Sequence, residues 1–527
     1  MAPLPDDLLR SHAWPAPNTG AIDLIETHVS WVLRGDHEVF KVKKPVNLGF
    51  LDFRSPARRR QACEDEVRLN ARLAPGVYLG VVPVTERQDG SLAFGGDGPV
   101  VDWAVRMRRL SDGCRADLLL ARGALERAHI DRVAEVVAGL HAAGEVSAEL
   151  AARTASPEAI LLNVTDNFDQ TRGTGPALLE AKEAREVERG QVAFVLKSAS
   201  LMQRRLAQGF VRDGHGDLRL EHLYFEQAGL SIIDCIEFDE RYRVADGCSD
   251  IAFLSMDLAA HGRVDLAERL LARYARASDD YDLYSLVDFY EGYRAWVRAK
   301  VSAMLARDGG ASDAARQRAT ADARRHFALA LACGRTSAVQ PSLVCIGGVI
   351  ASGKSTIADA LADELSCPVV DADRARKHLL GVPESRRLSD PAWQGAYAPE
   401  TSQRVYDEVL RRADVVLQSG RPVVVDASFR TRALRQEARR VAVARGVRFC
   451  FVECRASLDE CRRRVAERKA GPSDGRLEIF DAFVAGYEAV GEMRPAEHVV
   501  LDTSCPVEAS LATLREHVAT WPRGLNS

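Results

Sequence analysis

Gly348-Val349-Ile350-Ala351-Ser352-Gly353-Lys354-Ser355-Thr356 carries the full pattern of a phosphate-binding loop, and its flanks supply the local structure that pattern requires. Leu343-Val344-Cys345-Ile346 before it predicts a buried strand, and Thr356-Ile357-Ala358-Asp359-Ala360-Leu361 after it predicts a helix. A strand, a tight glycine turn and a helix start gather backbone N–H groups and the positive end of a helix around one anion. Gly348 and Gly353 let the backbone approach closely, Lys354 is placed for the outer phosphates, and the Ser355 hydroxyl is placed for Mg²⁺. The expected ligand is a nucleoside triphosphate, contacted by Gly348, Ala351, Ser352, Gly353, Lys354, Ser355 and Thr356.

The loop begins at residue 348 of 527, so the long stretch before it needs an account of its own, and the length predicts about two to four domains. The composition, 46% hydrophobic and 28% charged with a net charge of −4, is that of an ordinary globular protein and gives no general attraction for nucleic acid or anionic membranes. No apolar run approaches the roughly 18 residues that span a bilayer. Met1-Ala2-Pro3-Leu4-Pro5-Asp6-Asp7 lacks the basic start and apolar core of a secretory signal. The eleven cysteines are scattered without a Cys-x-x-Cys pair, which predicts free thiols in a reducing cytoplasm. Cys450, Cys454 and Cys461 form the only close group, and they lack the paired spacing of zinc sites.

A linker is expected at 334–342, where Gly334 to Ser342 is polar, contains Gly and Pro, and follows neither regular period. It divides a first domain, 1–333, from a second, 343–527. Upstream of it, Tyr284 to Leu305 and Asp313 to Cys333 predict long helices separated by Asp308-Gly309-Gly310. Near the start, His28 to Leu33 and Glu38 to Lys43 flank Arg34-Gly35-Asp36-His37 as a predicted hairpin. Strand signals run to about residue 108 and helical ones dominate to about 210, so a small sheet-rich lobe precedes a larger helical lobe.

His215-Gly216-Asp217-Leu218-Arg219-Leu220-Glu221-His222, followed by Ile232-Ile233-Asp234, is the second constellation with chemistry in it. A carboxylate in a short loop, a possible metal ligand five residues on and a second carboxylate after a hydrophobic strand form the order of a kinase catalytic loop and metal-binding strand. The His-Gly-Asp form resembles the aminoglycoside phosphotransferase and choline kinase branch. That resemblance implies Asp217 as base, Asp234 as principal metal ligand, His222 as a second ligand where the branch carries Asn, and Asp250 as a brace for the loop. Mg²⁺ prefers hard oxygen ligands, so His222 is a departure from the pattern. The resemblance also implies a strand lysine for the phosphates and a helical acid to orient it: Lys41, with Lys43 as the competing choice, and Glu66. Cys63 to Leu69 also reads as a solvated charged helix face. Met107 is placed by the same resemblance at a hinge contacting adenine.

After the phosphate loop, Val369-Val370-Asp371-Ala372-Asp373-Arg374-Ala375-Arg376-Lys377 predicts a short strand with acids and bases at its carboxyl end, the edge where parallel sheets bind ligands. Here the chain resembles phosphate-loop kinases of the zeta-toxin-like and gluconate-kinase-like groups. The resemblance implies Asp373 as the group that contacts or deprotonates the acceptor hydroxyl, with Asp371 as the competing choice, and Arg376 as the holder of the acceptor or its anionic group. Both acids also suit helix capping. Arg421 to Phe429 predicts a buried strand ending in Asp426, a carboxylate placed to organise Mg²⁺. Arg464 and Arg468 share a helix face at i, i+4 and resemble the lid arginines of such kinases, with Gly471 to Gly475 as a lid turn. The sequence shows no sensor region or arginine-finger element of a ring-forming motor.

The expected architecture is an α+β, two-lobed, kinase-like N-terminal domain joined to an α/β P-loop domain with a parallel sheet. The whole chain resembles bacterial two-domain fusions of an aminoglycoside phosphotransferase-like domain with an ATP-binding domain. The implied activity is ATP- and Mg²⁺-dependent phosphoryl transfer at two ATP sites to hydroxyl groups of small molecules such as a sugar or aminoglycoside. A non-catalytic, kinase-like sensor at the N-terminus and a polynucleotide kinase or nucleic-acid-dependent ATPase at the C-terminus are the competing readings. Acceptor identity and oligomeric state are not written in the sequence.

Overall fold

The computed structural model describes residues 6–15, 20–27, 29–47, 51–172, 181–307, 312–332, 338–467 and 475–522. The chain forms two compact units, Met1–Ala260 with Tyr290–Leu331, and His261–Phe289 with Ala332–Ser527.

In the first unit, β1 (Asp23–Glu26), β2 (Ser30–Arg34), β3 (Glu38–Lys43), β4 (Tyr78–Glu86), β5 (Leu92–Phe94) and β6 (Val100–Arg108) form an antiparallel sheet in the order β1-β2-β3-β6-β4-β5. β2 and β3 are the expected hairpin, with His28 outside the described residues. The period of two on β3 divides its side chains between faces. Phe40 and Val42 enter a core with Trp14, Leu33, Val84 and Phe94, where Phe40 and Phe94 stack at 4.0 Å. Lys41 and Lys43 both meet Glu66 on α1 (Pro56–Asn70). That helix starts where Ser55 accepts the Arg58 N–H and Pro56 has no N–H to leave unpaired.

The rest of this unit is mainly helical, with α2 (Ala116–Ala121), α3 (Arg127–Ala143), α4 (Ala148–Ala155), α5 (Pro157–Arg172) and α6 (Ala181–Ala207). Two short antiparallel pairs follow, β7 (Val211–Asp213) with β10 (Val244–Asp246), and β8 (Leu223–Glu226) with β9 (Gly229–Ile232). The His-Gly-Asp loop runs between β7 and β8, and β9 leads into Asp234. After α7 (Gly247–Ala260), α8 (Val264–Ser278) belongs to the second unit, and α9 (Val287–Leu305) leads back to the first, where α10 (Asp313–Ala332) ends it. α9 starts later than the expected Tyr284, because Tyr281–Ser285 is a 3-10 turn whose Leu283 N–H is taken by Asp280. The Asp308-Gly309-Gly310 turn lies outside the described residues, as do 334–337 of the expected linker.

The second unit is built on five parallel strands, β11 (Ser342–Gly347), β12 (Val369–Asp371), β13 (Val423–Asp426), β14 (Arg448–Arg455) and β15 (His498–Asp502), in the order β12-β13-β11-β14-β15. Its helices are α11 (Lys354–Leu365), α12 (Ala372–Leu379), α13 (Pro399–Gln418), α14 (Arg432–Arg445), α15 (Leu458–Glu467), α16 (Leu477–Ala485) and α17 (Val507–Leu514). Every residue of the central β11 is buried, as a parallel strand covered on both faces requires. Register pairs Ile346 with Asp426 and Asp426 with Asp371, which puts both acids at the edge where the P-loop begins.

Residues 1–333, expected as one domain, do not form one compact unit, since His261–Phe289 packs with the P-loop strands and helices. Arg412 is bidentate to Asp279 at 2.6 and 2.9 Å, Arg421 reaches Glu268 and Asp288 at 2.7 and 2.9 Å, and the Tyr281 hydroxyl donates to the Val369 carbonyl at 2.6 Å. An amphipathic helix shows which face it buries but not against which neighbour, so α8 carries no sign of this in sequence.

Gly347 is packed tightly in the second core: a Cβ there would lie 2.5 Å from the Phe451 ring, which is fully buried with the Phe429 ring 5.9 Å away. Gly347→Ala is expected to cost about 1–3 kcal/mol by overpacking, read as a lower midpoint for thermal unfolding.

Candidate active sites

In the kinase-like unit, one ion-pair ladder joins sheet, helix and the segment after β9. Lys41 Nζ lies 2.8 Å from Glu66 Oε1 and 2.7 Å from Asp234 Oδ1, while Lys43 Nζ lies 2.5 Å from Glu66 Oε2 and pairs with Glu237. Glu66 is thus shared by both lysines, and Lys41 is the one that reaches Asp234. Burial opposes the charge on Lys41, but Asp234 and Glu66 outweigh it and hold the ammonium well above its ordinary range. Asp234 has a left-handed backbone (φ 64°) and its N–H donates to the Tyr78 hydroxyl, a strained conformation of the kind kept at functional sites. Met107 is buried in an apolar cluster with Val39, Val105, Tyr78 and Tyr224.

The His-Gly-Asp loop is braced by Asp250, whose carboxylate accepts the backbone N–H groups of His215 and Gly216 and lies 3.2 Å from His141 Nε2. Asp217 is clamped by Arg219, which donates to both its oxygens at 2.9 and 3.0 Å. Burial works to raise this carboxyl, but the guanidinium holds it well below the usual range. His222 departs from the expected metal-ligand role. Its Nδ1 lies 2.8 Å from the Asp217 carbonyl, which makes Nδ1 the protonated nitrogen, and the remaining lone pair on Nε2 lies 3.3 Å from Arg219 Nη2. With one Asp234 oxygen on Lys41 and a guanidinium beside the imidazole, this donor set does not fit Mg²⁺.

In the second unit the P-loop, Asp373, Arg376 and Asp426 line a single cleft. Gly348 (φ 140°) cannot be replaced without a clash, since a Cβ would lie 2.5 Å from the Cys454 carbonyl oxygen. Ala351 also takes a left-handed conformation (φ 58°), and the Ser352 Oγ is buried without a hydrogen-bond partner among the described residues. Lys354 Nζ donates to the Val349 carbonyl at 2.7 Å, across the mouth of the loop. Ser355, beside Thr356 at the start of α11, is hydrogen-bonded to Asp426, whose carboxyl is pushed up by burial against the pull of Lys354. Asp371 and Asp373 take different roles: Asp371 caps α12, accepting the Arg374 N–H at 2.8 Å, whereas Asp373 faces the cleft. Burial, then the neighbouring Asp426 and Asp373, push Asp371 up to about 8.

Arg464 is not among the residues lining the cleft. It donates to the Thr503 carbonyl at 2.8 Å and reaches the Ala351 carbonyl at 3.4 Å, so it buttresses the outside of the P-loop. Arg468 lies outside the described residues, as do 471–474 of the expected lid turn. Sequence reasoning missed Glu237, Arg219, Arg430 and the cleft's aromatic wall, which includes Tyr397 and Phe483. Arg219 was open to inspection two residues after Asp217, whereas Tyr397 falls in the irregular stretch 380–398, where no period marks a face.

A family model described as an AAA domain matches residues 343–490. Among solved structures, a choline/ethanolamine kinase family protein from Mesorhizobium loti is similar at 15% identity over 59% of this chain and 93% of that chain, with a TM-score of 0.34. A gluconokinase from Sinorhizobium meliloti is similar at 23% identity over 34% of this chain and 95% of that chain, with a TM-score of 0.24. Uncharacterized proteins of Mycobacterium tuberculosis and Mycobacterium bovis are each 32% identical over 473 residues, 90% of this chain and 91% of theirs. With a kinase-like N-terminal region and a C-terminal P-loop domain on one polypeptide, the chain belongs to the family of these mycobacterial proteins.

Proposed function

We propose that the protein is an ATP-dependent phosphotransferase with two ATP sites, in which the P-loop cleft transfers the γ-phosphoryl group of ATP to a hydroxyl of a small molecule. The observation that carries this reading is the convergence of Asp373 and Arg376 with Lys354, Ser355 and Asp426 on one cleft. The acceptor oxygen attacks the γ-phosphorus, the bond to the β–γ bridging oxygen breaks, ADP leaves with that electron pair, and the hydroxyl proton passes to the Asp373 carboxylate. Lys354 and the P-loop backbone hold the phosphates against the helix start. Ser355 and Asp426 are hard oxygen donors already joined to each other, so they fit Mg²⁺. When bound, the ion would neutralise charge on the phosphoryl oxygens. The described cysteines are all free thiols, in keeping with a reducing cytoplasm as the place of action.

A second reading, in which the kinase-like unit is a non-catalytic sensor, is favoured by the Arg219 clamp on Asp217 and by His222. A base whose two oxygens are both held by a guanidinium must break that pair before it accepts a proton.

In single-turnover assays, Lys354→Ala is expected to abolish transfer at the P-loop cleft, and Asp373→Asn to lower its rate by about 10²–10⁴-fold. Transfer that persists in Asp373→Asn at the wild-type rate would remove the base assignment. Partial loss in Asp217→Ala would show chemistry at both sites, and full retention would favour the sensor.

A second expectation concerns pH. A carboxyl held up to about 8 in the folded protein keeps a proton that the unfolded chain releases near the ordinary carboxylate value. The folded state therefore loses stability as pH rises between those values, with the loss complete above about 8. Asp371→Asn keeps the helix cap without the charge, so its thermal midpoint should decline less than the wild type's from pH 5 to 9; parallel declines would refute the assignment.

A further inference from the structure

The acceptor half of the P-loop cleft contains an unbroken arc of stacked side chains. The Arg376 guanidinium lies 5.1 Å over the Tyr397 ring, Tyr397 meets Phe483 edge-on at 5.8 Å, Phe483 stacks on Trp393 at 4.6 Å, and the Arg430 guanidinium lies 4.3 Å over Trp393. Arg376, Tyr397, Phe483 and Arg430 line the cleft, with Asp373 one helical turn before Arg376.

The arginines at the two ends of this arc, Arg376 buried and Arg430 half-buried, are held differently from the other buried arginines of the unit. Arg269, Arg412, Arg421 and Arg435 are each paired with a carboxylate. Among the described residues, the contacts of Arg376 are the Ala396 carbonyl and the Tyr397 ring and that of the Arg430 guanidinium is the Trp393 ring, with no carboxylate in ion-pair distance of either. Arg376 is only 7% exposed, donates one Nη1 bond to the Ala396 carbonyl at 2.6 Å, and has a buried Nε without a hydrogen-bond partner among the described residues. A guanidinium fixed through its face by an aromatic ring keeps its N–H edge for another acceptor. A buried cation left in that state is costly unless a ligand pairs with it. Trp393 is itself in a left-handed conformation (φ 64°), so strain is spent on holding the far end of the arc.

We infer that the acceptor is a small molecule combining an anionic group, a carboxylate or phosphate, with a flat ring and the hydroxyl that is phosphorylated. The anion pairs with the N–H edges of Arg376 and Arg430, the ring packs on Tyr397 and Phe483, and the hydroxyl points to Asp373. This rests on the reading of the cleft as a phosphotransfer site and specifies its substrate class.

The test is a thermal-shift series on the full-length protein with Mg²⁺ and ADP, using four probes that separate ring from charge: 2-(hydroxymethyl)benzoate, benzyl alcohol, gluconate and glycerol. The ring-bearing acid is expected to give the largest further shift, and Arg376→Gln and Arg430→Gln each to lower it by at least half. Arg430 is the less enclosed of the two and serves if the Arg376 variant folds poorly. Equal shifts from gluconate or benzyl alcohol, or no further shift from any probe, would overturn the inference. Failure of ADP and Mg²⁺ to shift the wild type would instead count against the nucleotide site itself.

Discussion

At the carboxyl end of β11 there is room only for backbone. β14 is hydrogen-bonded alongside, its Phe451 ring fills the space above Gly347, and its Cys454 carbonyl closes the space beside Gly348. The chain can leave the strand only as a tight glycine turn, and that turn aims the start of α11 at the cleft. The same register fixes Asp426 and Asp371 at the ends of the neighbouring strands, so the phosphate cradle, Asp426 on its wall and the Asp371 cap that starts α12 follow from one packing constraint.

The two sites handle charge in opposite ways. In the kinase-like unit the acids are already matched by bases: Glu66 by Lys41 and Lys43, Asp234 by Lys41, and Asp217 by Arg219. At the P-loop sheet edge, Asp373 and Asp426 in the cleft and Asp371 behind it have no such ion pairs among the described residues, and burial with mutual repulsion raises Asp371 and Asp426. A set of carboxylates in that condition gains from a cation, whereas a set already neutralised gains little. Among the described residues the cleft also has two arginines without carboxylate partners, in keeping with separate places for a cation and for an anion.

Much of this was legible because the chemistry is carried by short, local patterns. The strand-loop-helix around Lys354, the strand ending in Asp426 and the alternation that pairs Lys41 with Lys43 on one face all depend on residues a few positions apart. Contacts between distant segments left no such trace. The Lys43–Glu237 pair spans nearly two hundred positions, the arc from Arg376 to Arg430 draws on four separate elements, and the α8 segment interrupts one unit to complete the other.

By itself, the sequence determined that a P-loop strand-turn-helix and a His-Gly-Asp loop lie on one chain, because glycine, lysine and carboxylate at those spacings have few other local uses. Tertiary structure alone decided which of two neighbouring acids faces the cleft, since Asp371 and Asp373 differ only in where the first turn of α12 points them. It also decided that Arg464 supports the loop from outside and that His222 turns its lone pair to Arg219. A side chain's partner is set by what the fold brings within about 3 Å of it, and no spacing along the chain records that distance.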